Sequence, residues 1–599
     1  MATSHDLLIG MAGAGGDGII SAGESLITAA ALEGYHALLT KSFGPQIRGG
    51  ESSFRLRLAV DEVFTVGGTL NVAVALNWDD FLRFGAELPV GPDTIVIYDS
   101  QYQLGPEGVP LPGVRPAEVV AAPIAQIAKD LAGNDRAKNT VVLGLMAEWF
   151  GFAPQALIAG IRRKFAKKGE DVLLKNEQAF EGGRTYARAN PLRTARPLAP
   201  TKPPSAPKLL TDGNEMCGAA AIFAGCTFFG GYPITPSSEI MQYLGRELWK
   251  YGGVVFQAED EIAGIGAVVG ASFAGKKALT ATSGPGMSLK TEMLGLATIA
   301  ELPLVCVNVQ RGGPSTGIPT KSEQSDLFQA VFSAHGDVVR PVLAPTTVGD
   351  TFGTVVEAFN LAEEFQTPVI VLSDGDIGQR KEVVDAIDTS RFRIVERRRP
   401  TPPELERYQR FAVTESGVSP ISEPGVPGGN YLASGIEHNE SGAPTAAGSI
   451  HARMNEKRIR KFQPLKGRRD LFDFYGDPRA EVGVVSWGSV AGVAREAVTR
   501  AVESGVRAKL LVPRLLYPVA QQIYEEFFAS VRAGFVLEQS HQGQLFRLLR
   551  MFVDVPRGIQ PFARSGSNPF TPAEVVERLR DCAVAIQRSR MPELEPHLD

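Results

Sequence analysis

The chain has 599 residues, a formal net charge of −5 and 44% hydrophobic residues. That length exceeds one domain and allows three or four cores, and so small a charge leaves no global footprint for nucleic acid. The four cysteines, Cys217, Cys226, Cys306 and Cys582, form no C-x-x-C pair and no His/Cys cluster at metal spacing, which argues against a disulfide scaffold, a local zinc site or a four-cysteine iron–sulfur motif and points to a reducing cytoplasm.

In chain order, "DLLIGMAG" predicts a strand, "GIISAGESLITAAALEGY" a helix, and "HALLTKS" and "SFRLRLAV" two further strands. Asp6 and the lack of a basic leader argue against a signal peptide. The most apolar long stretch, Val141 to Ile161, carries Glu148, Pro154 and Gln155, which argues against a membrane span. Alternation of strands and helices predicts a layered α/β domain over 1–190. Pro191 to Lys208 is proline-rich and basic without apolar periodicity, and predicts a semi-rigid linker.

A second α/β domain is predicted over 209–385. Its short apolar runs "ALTATS", "LPLVCVNVQ" and "TPVIVLSDG" fit strands of a parallel sheet buried on both faces. Its Gly/Ala-rich helices allow close backbone approach. Regularity breaks over 386–472, which predicts a long connector lying on other domains, with a basic run from His451 to Asp470. That run suits CoA phosphates or a ferredoxin, or else a solvated tether. A third α/β unit is predicted over 473–590.

The turn "GAGGDG", Gly13 to Gly18, sits between a strand and a helix and suits a phosphate. A dinucleotide site would add an acid at the end of the next strand. "HALLTKSFGPQ" has none, so NAD is disfavoured. A packing turn, or an anionic ligand with Arg48 nearby, remains.

The second domain holds four features that fit one polar site. Thr235 and Ser237 lie in "YPITPSS", where Pro233 and Pro236 fix the backbone. "AEDEIAGIGA" opens a helix with three acids, of which one need face inward. "SGPGMSLKTE" is a turn after a strand. Arg311 ends "LPLVCVNVQR", at the carboxyl edge of a parallel sheet where ligands collect, and suits a carboxylate clamp.

"GYPITPSSEI", "EDEIAGIGAVVGASFAGKKALTATSGPG" and "QRGGPSTGIPTKSEQSDL" resemble the α subunits of 2-oxoacid:ferredoxin oxidoreductases, most of all the type acting on 2-oxoglutarate. "GAGGDGIISAGESLITAAALEGY" and "SFGPQIRGGESSFRLRL" resemble the γ domain fused ahead of α in that type. "SGIEHNESGAPTAAGSIHARMNEKRIRK" and "FVLEQSHQGQL" resemble further α segments, so the likeness spans nearly the whole chain. It implies a γ-type domain, a pyrimidine-binding domain for thiamine diphosphate and a transketolase C-terminal-like domain. It also implies a β subunit that supplies the diphosphate/Mg²⁺ domain and a [4Fe–4S] cluster, with an (αβ)₂ assembly, ferredoxin as acceptor and CoA as co-substrate.

The resemblance places the pyrimidine-binding glutamate at Glu261, with Glu259 and Asp260 as neighbours, and adds Pro233 and Thr235 to the cofactor site. It assigns the 2-oxoacid to Thr235, Arg311 and Thr320, with Ser42 reaching the same pocket. A second substrate carboxylate needs another cation, for which Lys321, Lys41 and Arg48 are candidates. The expected reaction is CoA-dependent oxidative decarboxylation of 2-oxoglutarate to succinyl-CoA. The alternatives are pyruvate or a branched or aromatic 2-oxoacid as substrate, or a non-catalytic scaffold.

Overall fold

The computed structural model describes residues 3–44, 50–102, 104, 108–166, 168–194, 196–566 and 569–590. The chain divides into two compact units, the first built mainly of Met1–Asp212 with Gln379–Ile387, the second mainly of Gly213–Gly378 and Asp388–Gly566. Three sheets carry the fold: one in the first unit and two in the second.

In the first unit, β1 (Asp6–Gly13), β2 (His36–Phe43), β3 (Ser52–Ala59), β4 (Val72–Ala75), β5 (Ile95–Asp99) and β6 (Glu118–Ala122) form a mixed sheet ordered β6-β5-β4-β1-β3-β2. The chain runs parallel from β1 to β4 to β5 to β6, and β1, β3 and β2 are antiparallel. Helices Ile19–Glu33, Lys138–Phe150 and Glu170–Ala189 bury apolar faces in the same core as Ile9, Leu39 and Val74.

The glycine turn of this unit is filled by its own acid. Asp17 accepts the Ala14 N–H at 3.1 Å, and its other oxygen lies 2.9 Å from Lys138 Nζ. A carboxylate of the chain therefore accepts one of the backbone N–H groups of the turn. Arg48 lies outside the described residues.

β7 (Lys208–Thr211) precedes the second unit. There β8 (Phe228–Gly231), β9 (Val254–Gln257), β10 (Ala278–Thr282), β11 (Leu304–Gln310), β12 (Val342–Leu343) and β13 (Pro368–Asp374) make a parallel sheet ordered β12-β13-β11-β10-β8-β9. β10, β11 and β13 are buried along their whole length, as their continuous apolar runs require. The chain then returns as β14 (Lys381–Asp385), which pairs antiparallel with β2 and β7. The two strands at the limits of 209–385 thus extend the first sheet. Both are short and half exposed, so no periodicity assigns them to either core.

The segment 386–472 is pinned by buried charge. Arg397 pairs with Glu363 at 2.7 Å. Lys457 and Lys461, on and just after helix Gly448–Arg460, both reach Glu301, whose backbone oxygen accepts from Arg410 at 2.7 Å. Burial would raise Glu301, but the three cations outweigh it and hold the acid well below its usual range. The core of the basic run therefore faces inward and ties the connector to the second sheet. The last sheet is β15 (Phe472–Gly476), β16 (Val482–Ser486), β17 (Ala508–Pro513), β19 (Ala533–Glu538) and β20 (Ile559–Ala563), ordered β15-β17-β16-β19-β20. β18 (Leu515–Tyr517) joins the second sheet against β12. Among the described residues no helix is long and apolar enough to cross a membrane.

Candidate functional site

The carboxyl ends of β8, β10 and β11 converge on one region of the second unit. After β9 the chain enters helix Glu261–Phe273. Asp260 caps it, its Oδ1 accepting the Ala263 N–H at 2.8 Å, as an acid ahead of a small-residue helix should. Glu259 is exposed. Of the three acids only Glu261 turns inward, 6% exposed.

Glu261 is packed tightly. Its helix rests on β8 where Gly264 meets Gly231: a Cβ at 264 would stand 3.0 Å from the Gly231 Cα. Its side chain fills the space beside Gly286, where a Cβ would stand 2.6 Å from Oε1 and closer still to Thr282 Oγ1. Gly286 belongs to helix Gly284–Ile299, which starts at the end of β10 with Pro285 in its first turn. No described residue donates a hydrogen bond to the Glu261 carboxylate. The residue as a whole is buried, but its carboxylate oxygens are not sealed among the buried unpartnered atoms, so they are free to accept from a ligand.

The same helix start lines a cavity of about 750 Å³, with Gly284, Ser288, Arg311, Asp326, Gln329 and His541 among its walls. Arg311 is 7% exposed and donates from Nη1 to the Thr235 backbone oxygen at 2.7 Å. Its Nε, with Gln329 Oε1 and Ser540 Oγ, is buried without a partner. These orphaned polar atoms on the cavity wall suit a polar ligand. Asp326 accepts from Asn308 Nδ2 at 3.0 Å, and its backbone N–H donates to Gln310 Oε1 at 3.0 Å. Burial pushes the Asp326 carboxyl up to about 6, against the pull of Asn308 and Arg311. Burial also lowers Arg311, with Asp326 opposing it. The third sheet supplies the far wall: Gln544 accepts the Phe328 N–H at 2.8 Å and donates to the Ser325 oxygen at 2.7 Å.

The expected residues divide. Thr235 and Arg311 are in direct contact, and Glu261 touches the helix start that lines the cavity. Pro233 is exposed in the turn after β8. Thr320 and Lys321 are half-buried in the loop after β11, whose Gly312 N–H donates to the Lys321 oxygen at 2.9 Å, and neither lines the cavity. Ser42 belongs to the first unit, buried near the end of β2 opposite Ser53. Lys41 also belongs there and pairs with Glu24 at 2.6 Å. Sequence reasoning gave no role to Asp326, Gln329, His541 or Lys290. None of the four carried a local signal in the sequence.

Among the described residues no group of His, Cys, Asp and Glu is placed to hold a metal, and Cys217, Cys226, Cys306 and Cys582 are free.

The site's protein fits a thiamine-type group on one observation: the unpartnered Glu261 carboxylate is the acceptor that a protonated aminopyrimidine ring nitrogen requires. Comparison with known proteins agrees. Residues 219–457 match the family described as pyruvate flavodoxin/ferredoxin oxidoreductase, thiamine diphosphate-binding. Residues 9–186 match pyruvate ferredoxin/flavodoxin oxidoreductase, and 480–575 match core domain II of pyruvate:ferredoxin oxidoreductase. The chain is 32% identical to the 2-oxoglutarate oxidoreductase subunit KorA of Mycobacterium tuberculosis, over 91% of this chain and 87% of that one. It is 30% identical to subunit alpha of 2-oxoacid:ferredoxin oxidoreductase 2 of Aeropyrum pernix, over 92% and 94%. Its fold is similar to that of a solved 2-oxoglutarate:ferredoxin oxidoreductase from Magnetococcus marinus with 2-oxoglutarate, coenzyme A and succinyl-CoA bound. There the TM-score is 0.90 at 38% identity, covering 96% of this chain and 99% of that one.

Proposed function

From the premise that the chain belongs to the 2-oxoacid:ferredoxin oxidoreductase family, as an α subunit, we propose that it catalyses, with a β subunit, the CoA-dependent oxidative decarboxylation of 2-oxoglutarate to succinyl-CoA and CO₂. Electrons leave one at a time to a ferredoxin. The observation that carries this reading is the buried, unpartnered Glu261 beside the Arg311 cavity, in a chain so similar to the Magnetococcus enzyme.

Thiamine diphosphate, when bound, supplies the nucleophilic carbon that lets a 2-oxoacid lose CO₂. Glu261 would hold the ring nitrogen of its aminopyrimidine, its carboxylate having no other donor among the described residues. Arg311, which lines the cavity, would clamp the 2-oxo-carboxylate, with its Nη1 already fixed on Thr235. Thr235 and Pro233 would shape the turn against the cofactor, and Thr320 and Lys321, in the loop that follows Arg311, would meet the substrate only if that loop moves. Mg²⁺ and a [4Fe–4S] cluster belong to the β subunit in this reading, and the assembly is (αβ)₂ in the cytoplasm.

The surface around Glu261 supports a partner there. β9, the strand that leads into the helix of Glu261, is the edge of its sheet, and Val254 (56%), Phe256 (43%), Ile262 (45%) and Leu289 (47%) are exposed. A bare apolar edge strand calls for cover, and the β subunit is the cover proposed. The deciding experiment is anaerobic viologen reduction by the α–β complex with CoA, comparing 2-oxoglutarate with pyruvate, for wild type and Glu261→Gln. The reading expects turnover with 2-oxoglutarate and a loss of about 10²- to 10⁴-fold in the variant. Turnover with pyruvate instead would overturn the substrate, and an unaffected variant would overturn the role of Glu261.

A further inference from the structure

Lys290 is a fully buried cation that the reaction as described does not use. It lies on helix Gly284–Ile299, 0% exposed. Its Nζ donates to the backbone oxygen of Glu261 at 3.2 Å and to Thr280 Oγ1, in β10, at 3.0 Å. No carboxylate is hydrogen-bonded to it among the described residues. An ammonium seldom sits in a core, because it loses its hydration there. Burial accordingly lowers Lys290, while the Cys306, Glu261 and Asp260 side chains oppose the shift.

The two acceptors explain why an ammonium is kept. The Glu261 carbonyl lies in the first turn of its helix, and Thr280 is part of the buried strand β10. One side chain thus ties together three elements: the helix that begins at Glu261, the strand that ends at Thr282, and the helix that begins at the cavity wall. A methionine would fill the same volume without making either bond. We propose that Lys290 is a positioning residue for Glu261, fixing the first turn of its helix against β10 so that the carboxylate meets the cofactor in one place.

This inference rests on the reading of Glu261 above, and a double-mutant cycle separates the two. Lys290→Met, Glu261→Gln and the double variant would be purified as α–β complexes and first checked for wild-type-like thermal unfolding. Viologen reduction would give kcat and KM, and calorimetry on the apo-complex would give the Kd of thiamine diphosphate. The expectation is that Lys290→Met lowers kcat about ten- to a hundredfold, leaves KM for 2-oxoglutarate within about twofold, and weakens thiamine diphosphate several-fold. In the Glu261→Gln background the same change should cost little more, because the two residues act as one unit. Lys290→Gln, which keeps a donor, should recover part of the loss and serves where Lys290→Met does not fold. Equal losses in both backgrounds, or an unchanged kcat and Kd in Lys290→Met, would overturn the inference. An active Glu261→Gln complex would instead overturn the reading it rests on.

Discussion

Replacing Gly286 by alanine tests the site through a single methyl group. Gly286 is the third residue of its helix, at a backbone conformation that any residue can adopt. Alanine at such a position favours the helix by about 1 kcal/mol. Its Cβ, however, would stand 2.6 Å from Glu261 Oε1 and 2.8 Å from Glu261 Cγ, where ordinary contact begins at 3.4 Å. The carboxylate must therefore retreat by about 0.8 Å, the difference between 3.4 and 2.6 Å, and Thr282 Oγ1, which the Cβ meets closer still, must give way with it. Overpacking of this kind costs about 1–3 kcal/mol, so the net loss of stability should be small, on the order of 1 kcal/mol once the helix term is set against it. Activity should suffer far more, because a misplacement near 1 Å costs on the order of a hundredfold in rate. The assay is viologen reduction by the α–β complex beside a thermal melt. Gly160→Ala, with no heavy atom within 4 Å of the added Cβ, is the control and should raise stability by about 0.5–1 kcal/mol at unchanged activity. A Gly286→Ala complex with wild-type kcat would refute the placement of Glu261 at the chemistry.

Three further outcomes follow from the same geometry. Arg311→Lys keeps the charge but loses the planar fork, and kcat/KM for the 2-oxoacid should fall about 10- to 100-fold, measured over a substrate titration. Asp326, pushed up to about 6 by burial, is ionised above that pH and neutral below it. An anionic substrate should therefore bind more tightly as pH falls from 8 through 6, and KM in Asp326→Asn should be lower at pH 8 and lose that dependence. Phe256→Asp places a charge on the exposed edge strand β9, and the variant α chain should keep its circular dichroism but fail to co-purify with the β subunit.

Much of the second unit was legible because its signals are local. Continuous apolar runs mark β10, β11 and β13 as interior strands, and three acids ahead of a Gly/Ala helix leave room for one cap and one inward side chain, which Asp260 and Glu261 divide between them. Lys290 was not legible, since a lysine at a helix's second turn is ordinarily solvated and only the packing of β10 beneath it buries the ammonium. Asp326 and His541 meet at one cavity from positions far apart in the chain, a juxtaposition that no spacing announces. Thr320 and Lys321 lie in the loop after β11 and do not line that cavity, since residues of a loop that leaves a strand end need not share the direction of the strand-end arginine. β7 and β14 escaped because "KLLT" and "KEVVD" are short and half polar, so only their partner strand decides which sheet they join.

That last pairing has a consequence for the order in which the protein is made. β2 has β14 as its neighbour, yet residues 213–378 of the second unit are translated between Asp212 and Gln379. At about 5–20 residues per second, the nascent N-terminal sheet waits roughly ten to thirty seconds with β2 as a bare edge. An unpaired edge of that kind recruits other strands. Expression of residues 1–212 alone would make the wait permanent, and a peptide spanning 379–387, supplied in trans, is the natural means of closing the sheet.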